Sequence, residues 1–190
     1  MLCLSGVTPA NKTGKVEDNK TIALAALNEA ARLKIPHVFL ASSAAVYGSG
    51  LQVLSEGSVC TPLSDYGRAK LAMEHAAFDW RAGQGPSAPR ITCLRIGNVA
   101  GADQLLLNAG RAEQTAPLLL DRFADGSTPR RSYIGPETLA AVLISLIRAA
   151  AGGVILPDIL NIAALGAVSM ADLLDAYAAA GHPVAWQDRP

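Results

Sequence analysis

The chain has 190 residues, of which 51% are hydrophobic, and its 16 basic side chains balance 16 acidic ones. A zero net charge gives no general electrostatic drive toward nucleic acid or an anionic membrane, and this length allows a core that hides roughly 70% of the unfolded surface. Cys3, Cys60 and Cys93 form no C-x-x-C pair and the histidines no cluster, so the sequence reads as metal-free, with reduced thiols; lacking a secretory segment or an apolar run of about 18 residues, it is expected to be cytoplasmic and off the membrane.

In chain order, residues 1–5 read as a short buried strand ending at Gly6, and residues 8–15, with Pro9 and Gly14, read as a loop that includes the sequon-like Asn11-Lys12-Thr13, to which no function is assigned. Ile22, Ala26, Leu27, Ala30 and Leu33 share one face of a helix over about 17–34, which Pro36 ends. Val38 to Ser42 is a continuous apolar run suited to a parallel strand covered on both faces, and the run from Arg90 to Ile96 resembles it. Between them a helix starts near Ser64 or Asp65 and carries Leu71, Met73, Ala76, Ala77 and Trp80 before the breaker Gly83-Gln84-Gly85-Pro86. Alternating strands and helices predict a parallel α/β sheet with right-handed crossovers, whose ligands gather at the carboxyl ends of the strands. Ser5-Gly6, Ser42-Ser43 and Gly97-Asn98 fall at such ends.

Past Gly101 the pattern is less regular. Leu118-Leu119-Leu120 reads as a strand, the run from Asp125 to Arg131 as an exposed turn, and Pro136 opens a helix through about Arg148. Ile159 to Ala163 reads as a strand, Ser169 with Asp172 as a capping box for a helix over 170–180, and the last residues, around Arg189, as a frayed terminus.

Chemistry concentrates in Tyr66-Gly67-Arg68-Ala69-Lys70. On a helix Tyr66 and Lys70 lie at i and i+4, so the ammonium can approach the phenol and favour phenolate, which suits proton transfer near neutral pH. Ser43, at the end of the preceding strand, can hydrogen-bond the oxygen whose proton Tyr66 moves. Y-x-x-x-K alone is common; the serine strand before it and the further strand after it give it weight. His37, His75 and His182 read as surface or boundary residues, and Glu137 and Asp172 as helix-start carboxylates.

Three segments, Phe39-Leu40-Ala41-Ser42-Ser43-Ala44-Ala45-Val46-Tyr47-Gly48, Tyr66-x-x-x-Lys70 and Leu94-Arg95-Ile96-Gly97-Asn98-Val99-Ala100-Gly101, resemble the NAD-dependent epimerase/dehydratase family of extended short-chain dehydrogenases. Asn19, Arg131-Ser132-Tyr133-Ile134 and Asn161-Ile162-Ala163 extend the likeness over nearly the whole chain. The resemblance implies a partial Rossmann-like parallel sheet flanked by helices, with a small C-terminal α+β substrate-binding portion. It divides the chain into residues 1–101, carrying the catalytic residues, and residues 102–190, mostly substrate-binding, with a helix over 136–150 packing back on the sheet.

By the same resemblance Tyr66 is the acid/base, Lys70 lowers its pKa and holds the nicotinamide ribose, and Ser43 orients the substrate oxygen. Ser5, Gly6, Ser42 and Gly97 join Tyr66 and Lys70 as candidate contacts for NAD or NADP, while Asn19, Asn98 and Arg131 are candidate contacts for a nucleotide-sugar-like substrate. A homodimer through the helices over 17–34 and 65–82 is a further implication.

Departures from the family pattern shape the expected reaction. The glycine-rich strand-to-helix loop that seats a pyrophosphate is absent from these residues, as if they began at the family's fourth strand, so the first strand is expected to present an open apolar edge and the chain to associate. Ala44-Ala45 stands where family dehydratases carry an acidic pair, which disfavours dehydration. The resulting expectation is an NAD(P)-dependent epimerase or reductase, with a truncated non-catalytic binding or interaction module as the alternative.

Overall fold

In a computed structural model, residues 1–9, 14–50, 52–111, 117–182 and 184–189 are described. The chain divides into two compact units, the first comprising residues 1–96 and 141–162, the second residues 97–140 and 163–190. Half of the loop expected over 8–15, including the sequon-like triplet at Asn11, lies outside the described residues.

The first unit is built on β1 (Leu2–Cys3), α1 (Asp18–Arg32), β2 (His37–Ser43), α2 (Asp65–Ala82) and β3 (Arg90–Ile96). Its sheet has the order β1-β2-β3-β8, with β8 spanning Ile159–Ile162, and every pairing is parallel. Phe39 lies opposite Thr92 and Ser43 opposite Ile96, so the whole of β2 is paired along β3. Strands so placed bury both faces, which is why Val38, Phe39, Leu40, Ile91, Cys93 and Leu94 are almost fully buried. Leu27 and Ala30 of α1 and Met73 and Ala77 of α2 complete this core, each large side chain contributing about 1.5–3 kcal/mol of transfer free energy.

Local signals fix the helix ends. The Ser64 hydroxyl accepts from the Gly67 N–H at 3.1 Å and caps α2, and Gly83 follows its last residue. The Ser43 hydroxyl accepts from Ala45 N–H at 3.2 Å and starts a single 3₁₀ turn, Ala44–Val46. His37 is buried, contrary to its reading as a surface or boundary residue: its Nε2 lies 3.0 Å from the Thr92 hydroxyl, and the ring stacks on Phe39.

In the second unit β4 (Asn98–Val99) pairs in parallel with β7 (Tyr133–Ile134), and β6 (Arg130–Arg131) pairs antiparallel with β9 (Val168–Ser169). The expected capping of α5 (Met170–Ala179) is present: Ser169 Oγ accepts from Asp172 N–H at 3.0 Å. Asp103 caps a short helix, α3 (Gln104–Ala109), that the sequence pattern did not announce. The described residues up to Arg189 do not fray as expected: β10 (Trp186–Arg189) pairs along the whole of β5 (Leu118–Asp121), and Trp186 packs on the cluster of Ala109, Leu120 and Leu174. Helix α4 (Pro136–Ala151) runs from the second unit into the first. Among the described residues no helix is long and apolar enough to cross a membrane.

Candidate active site

Strand β2 delivers Ser43 to its carboxyl end, and α2, entered through the Ser64 cap, delivers Tyr66 and Lys70 one turn apart on the same face. The structure brings these three together. Tyr66 is half-buried; burial pushes its phenol above the ordinary value, and a hydrogen bond with Ser43 acts in the opposite sense. The Lys70 ammonium lies 5.8 Å from the centroid of the Tyr66 ring and donates to the Ala41 carbonyl at 2.8 Å. Lys70 is 3% exposed, and burial lowers its pKa, with the nearby Glu74 carboxylate opposing.

This corrects one expectation from the sequence. In the chain as it stands the phenol is raised, because burial outweighs the stabilisation of phenolate. The ammonium is committed to the Ala41 carbonyl and is itself desolvated.

Gly6 passes close to this centre. A Cβ placed there would sit 2.7 Å from Asn19 Oδ1 and 3.1 Å from Lys70 Nζ, so the turn after β1 runs against the lysine. Asn19 holds that turn: it is buried, its Oδ1 accepts from Val7 N–H at 3.1 Å, and its Nδ2 donates to the Val7 and Val16 carbonyls at 2.8 Å each. Its amide is thus engaged with backbone. Ser5 is exposed beside Gly6.

Ser42, next to Ser43, is engaged elsewhere. It is buried, and its hydroxyl donates to the Glu74 carboxylate, which pairs with Arg95 of β3 through Nη2 at 2.7 Å and Nε at 3.0 Å. The Arg95 guanidinium lies over the Tyr47 ring at 4.8 Å, and Tyr47 donates its hydroxyl to Asn161 Oδ1 at 2.7 Å. Burial opposes the Arg95 charge, but Glu74 and Tyr47 outweigh it and hold the guanidinium firmly protonated. Ser42, expected from the sequence as a cofactor contact, is here engaged with Glu74, and the Glu74–Arg95 pair itself was not singled out from the sequence. Two signals for it exist: Glu74 continues the i, i+4, i+8 stripe of Tyr66 and Lys70, and Arg95 interrupts an otherwise apolar strand.

Gly97, Asn98 and Arg131 belong to the second unit. Asn98 Nδ2 lies 3.4 Å from the Ser132 carbonyl, a Cβ at Gly97 would meet the same oxygen at 2.9 Å, and the exposed Arg131 guanidinium donates to the Arg130 carbonyl at 3.1 Å. Among the described residues no group of histidine, cysteine and carboxylate side chains is placed to hold a metal ion.

Known structures share this fold. The chain is 20% identical to a UDP-glucuronic acid 4-epimerase from Bacillus cereus in complex with NAD, with a TM-score of 0.78 over 99% of this chain and 62% of that one. It is 20% identical to a UDP-glucose 4-epimerase from Bifidobacterium longum in complex with NAD+ and UDP, with a TM-score of 0.76 over 100% of this chain and 63% of that one. An NAD-dependent NDP-hexosamine 5,6-dehydratase, TunA, involved in tunicamycin biosynthesis, is 23% identical, with a TM-score of 0.74 over 100% of this chain and 63% of that one. The chain therefore spans about three-fifths of the length of these structures. No curated protein matches the chain in sequence.

The residues present fit one end of a dinucleotide. The Tyr66 hydroxyl, the Lys70 ammonium and the Ser43 hydroxyl are a donor set suited to a ribose diol and a neighbouring hydroxyl or carbonyl oxygen. At the pyrophosphate end, the described residues between β1 and α1 form no glycine cradle on a capped helix, since Glu17 at the start of α1 makes no side-chain capping bond. The sheet is Rossmann-like, and the NAD dependent epimerase/dehydratase family model matches residues 4–163, so the chain belongs to that family.

Proposed function

We propose that the protein is an NAD(P)-dependent epimerase or reductase acting on a nucleotide sugar or a related hydroxyl or carbonyl compound, with Tyr66 as its acid/base. The observation that carries this reading is the convergence on Tyr66 of the Ser43 hydroxyl and the Lys70 ammonium at the carboxyl end of β2. The matched structures support it, since their names join UDP-sugars with NAD.

In this reading Ser43 holds the reacting oxygen by a hydrogen bond, and Tyr66 moves a proton between its phenol oxygen and that atom. A nicotinamide, when bound, supplies hydride acceptance and donation. Burial keeps the Tyr66 phenol protonated and so favours it as a proton donor to a carbonyl oxygen; the nearby Lys70 cation eases the reverse step. Lys70 holds the ribose side, and its tie to Ala41 fixes where its charge sits. Arg131, with an exposed guanidinium, is assigned the substrate diphosphate, and Asn98 the nucleotide-sugar. The turn after Ser43 carries Ala44 and Ala45, which offer no acid or base for dehydration.

The test is Tyr66→Phe in the intact protein, supplied with NAD and either UDP-glucose or UDP-glucuronic acid, with products followed by NMR. Turnover is expected to fall about 10²–10⁴-fold while the circular dichroism spectrum stays unchanged. Undiminished turnover in a folded Tyr66→Phe protein overturns the mechanism.

A further inference from the structure

The buried pair Glu74–Arg95 contacts residues on both sides, in sequence, of Ser43, the residue that hydrogen-bonds Tyr66. On one side of Ser43 in sequence stands Ser42, whose hydroxyl donates to Glu74; on the other, past the 3₁₀ turn that Ser43 starts, stands Tyr47, whose ring lies under the Arg95 guanidinium. Helix α2 is thereby tied to β2 at two consecutive residues, by Lys70 at the Ala41 carbonyl and by Glu74 at the Ser42 hydroxyl. Tyr66, Lys70 and Glu74 lie on one face of that helix at successive turns, so a shift of Glu74 along the strand carries Tyr66 with it.

A buried ion pair is a poor choice for stability alone. Removing two charges from water costs several kcal/mol each, and apolar replacements of similar volume are often as stable or more so. Here both carboxylate oxygens are held and both partners are at most 4% exposed, so the pair fixes one geometry in a way that apolar side chains do not.

We propose that Glu74 is a positioning residue: paired with Arg95 and acting through Ser42, it sets the distance between the Ser43 hydroxyl and the Tyr66 phenol. The proposal rests on the reading of Ser43 and Tyr66 as the reacting pair. Its test does not require turnover, so failure of that reading and failure of this one are distinguishable.

The experiment follows the Cζ resonance of Tyr66 in intact protein carrying ¹³C-labelled tyrosine, assigned through Tyr66→Phe, at neutral pH. Ser43→Ala supplies the displacement that marks loss of the hydrogen bond. Ser42→Ala, which removes one hydroxyl and leaves the ion pair in place, is expected to move the resonance in the same direction as Ser43→Ala. The paired variant Glu74→Leu/Arg95→Met is expected to do the same while its thermal midpoint holds or rises, an outcome that a purely structural pair would not give. A Tyr66 resonance unmoved in folded Ser42→Ala overturns the proposal, whatever the paired variant does. A moved resonance in Ser42→Ala supports it even where the paired variant does not fold.

Discussion

Lys70 sits beside Tyr66 without being free to follow it: its ammonium lies 5.8 Å from the centroid of the Tyr66 ring, and the same nitrogen is bound at 2.8 Å to the carbonyl of Ala41 on β2. A cation held this way is costly to bury. Lys70→Met is therefore expected to remove the charge from the site, cutting turnover about 10²-fold or more, and at the same time to raise the thermal midpoint at pH 7. The sign follows from the depressed pKa of the folded state. The unfolded chain binds the proton more readily, so the wild type gains stability as pH rises from the folded value toward 10.5, and the advantage of Lys70→Met shrinks over that window. Melting curves of both proteins from pH 7 to 10.5 check this, and a constant difference across that range counts against a desolvated Lys70.

Ser43 and burial act in opposite directions on the Tyr66 phenol. Ser43→Ala leaves burial unopposed, so the phenol's pKa is expected to rise further. For oxidation of a hydroxyl, which needs phenolate, the rising acidic limb of the pH–rate profile then moves to higher pH. For reduction of a carbonyl, which needs phenol, activity extends to higher pH. Profiles of the two directions that move oppositely, or not at all, contradict a Ser43–Tyr66 hydrogen bond as the link.

What the sequence made legible, and what it did not, divides along sequence distance. The apolar run in β2, the i, i+4 pair Tyr66 and Lys70, and the cap at Ser64 are local patterns, and each sets a local structure directly. The Glu74–Arg95 pair joins residues that only β3 and α2 bring together, so the helical period that places Glu74 in line with Tyr66 and Lys70 did not name its partner. Asn19 was legible only through the family resemblance, as a candidate substrate contact, and its three backbone bonds depend on how the turn after β1 folds back. In the second unit the two-residue strands are too short to show a period of two, and β10 is defined by its pairing with β5.

Gly67, between Tyr66 and Arg68 inside α2, has a packing reason to be glycine. In an exposed helix Gly→Ala gains about 1 kcal/mol. Here a Cβ would overlap the Ala45 carbonyl oxygen and stand 3.0 Å from Pro62 Cβ, so backbone must move on one side. Gly67→Ala is therefore expected to destabilise the protein by about 1–3 kcal/mol and to lower turnover, because the displaced segment is the turn that begins at Ser43. Denaturant unfolding with an unchanged midpoint would show that α2 and the turn are not in close contact.

Glu56 straps the segment after β2 to the edge of the sheet: its Oε1 accepts the backbone N–H of Asn161 in β8 at 2.8 Å, while Asn161 takes the Tyr47 hydroxyl on its side chain. That backbone bond holds the Glu56 carboxyl below its ordinary value. A depressed carboxylate contributes stability that is fully present above the unfolded value of 4.5 and is lost as pH falls through the folded value. The Asn161 amide is therefore expected to lose hydrogen-exchange protection, relative to its β8 neighbour Ile162, as pH drops below 4.5. Glu56→Ala is expected to show the same loss already at pH 7, together with faster proteolysis in the exposed stretch from Val53 to Val59. Equal protection of Asn161 in wild type and Glu56→Ala at pH 7 would mean that the strap contributes nothing to holding that segment.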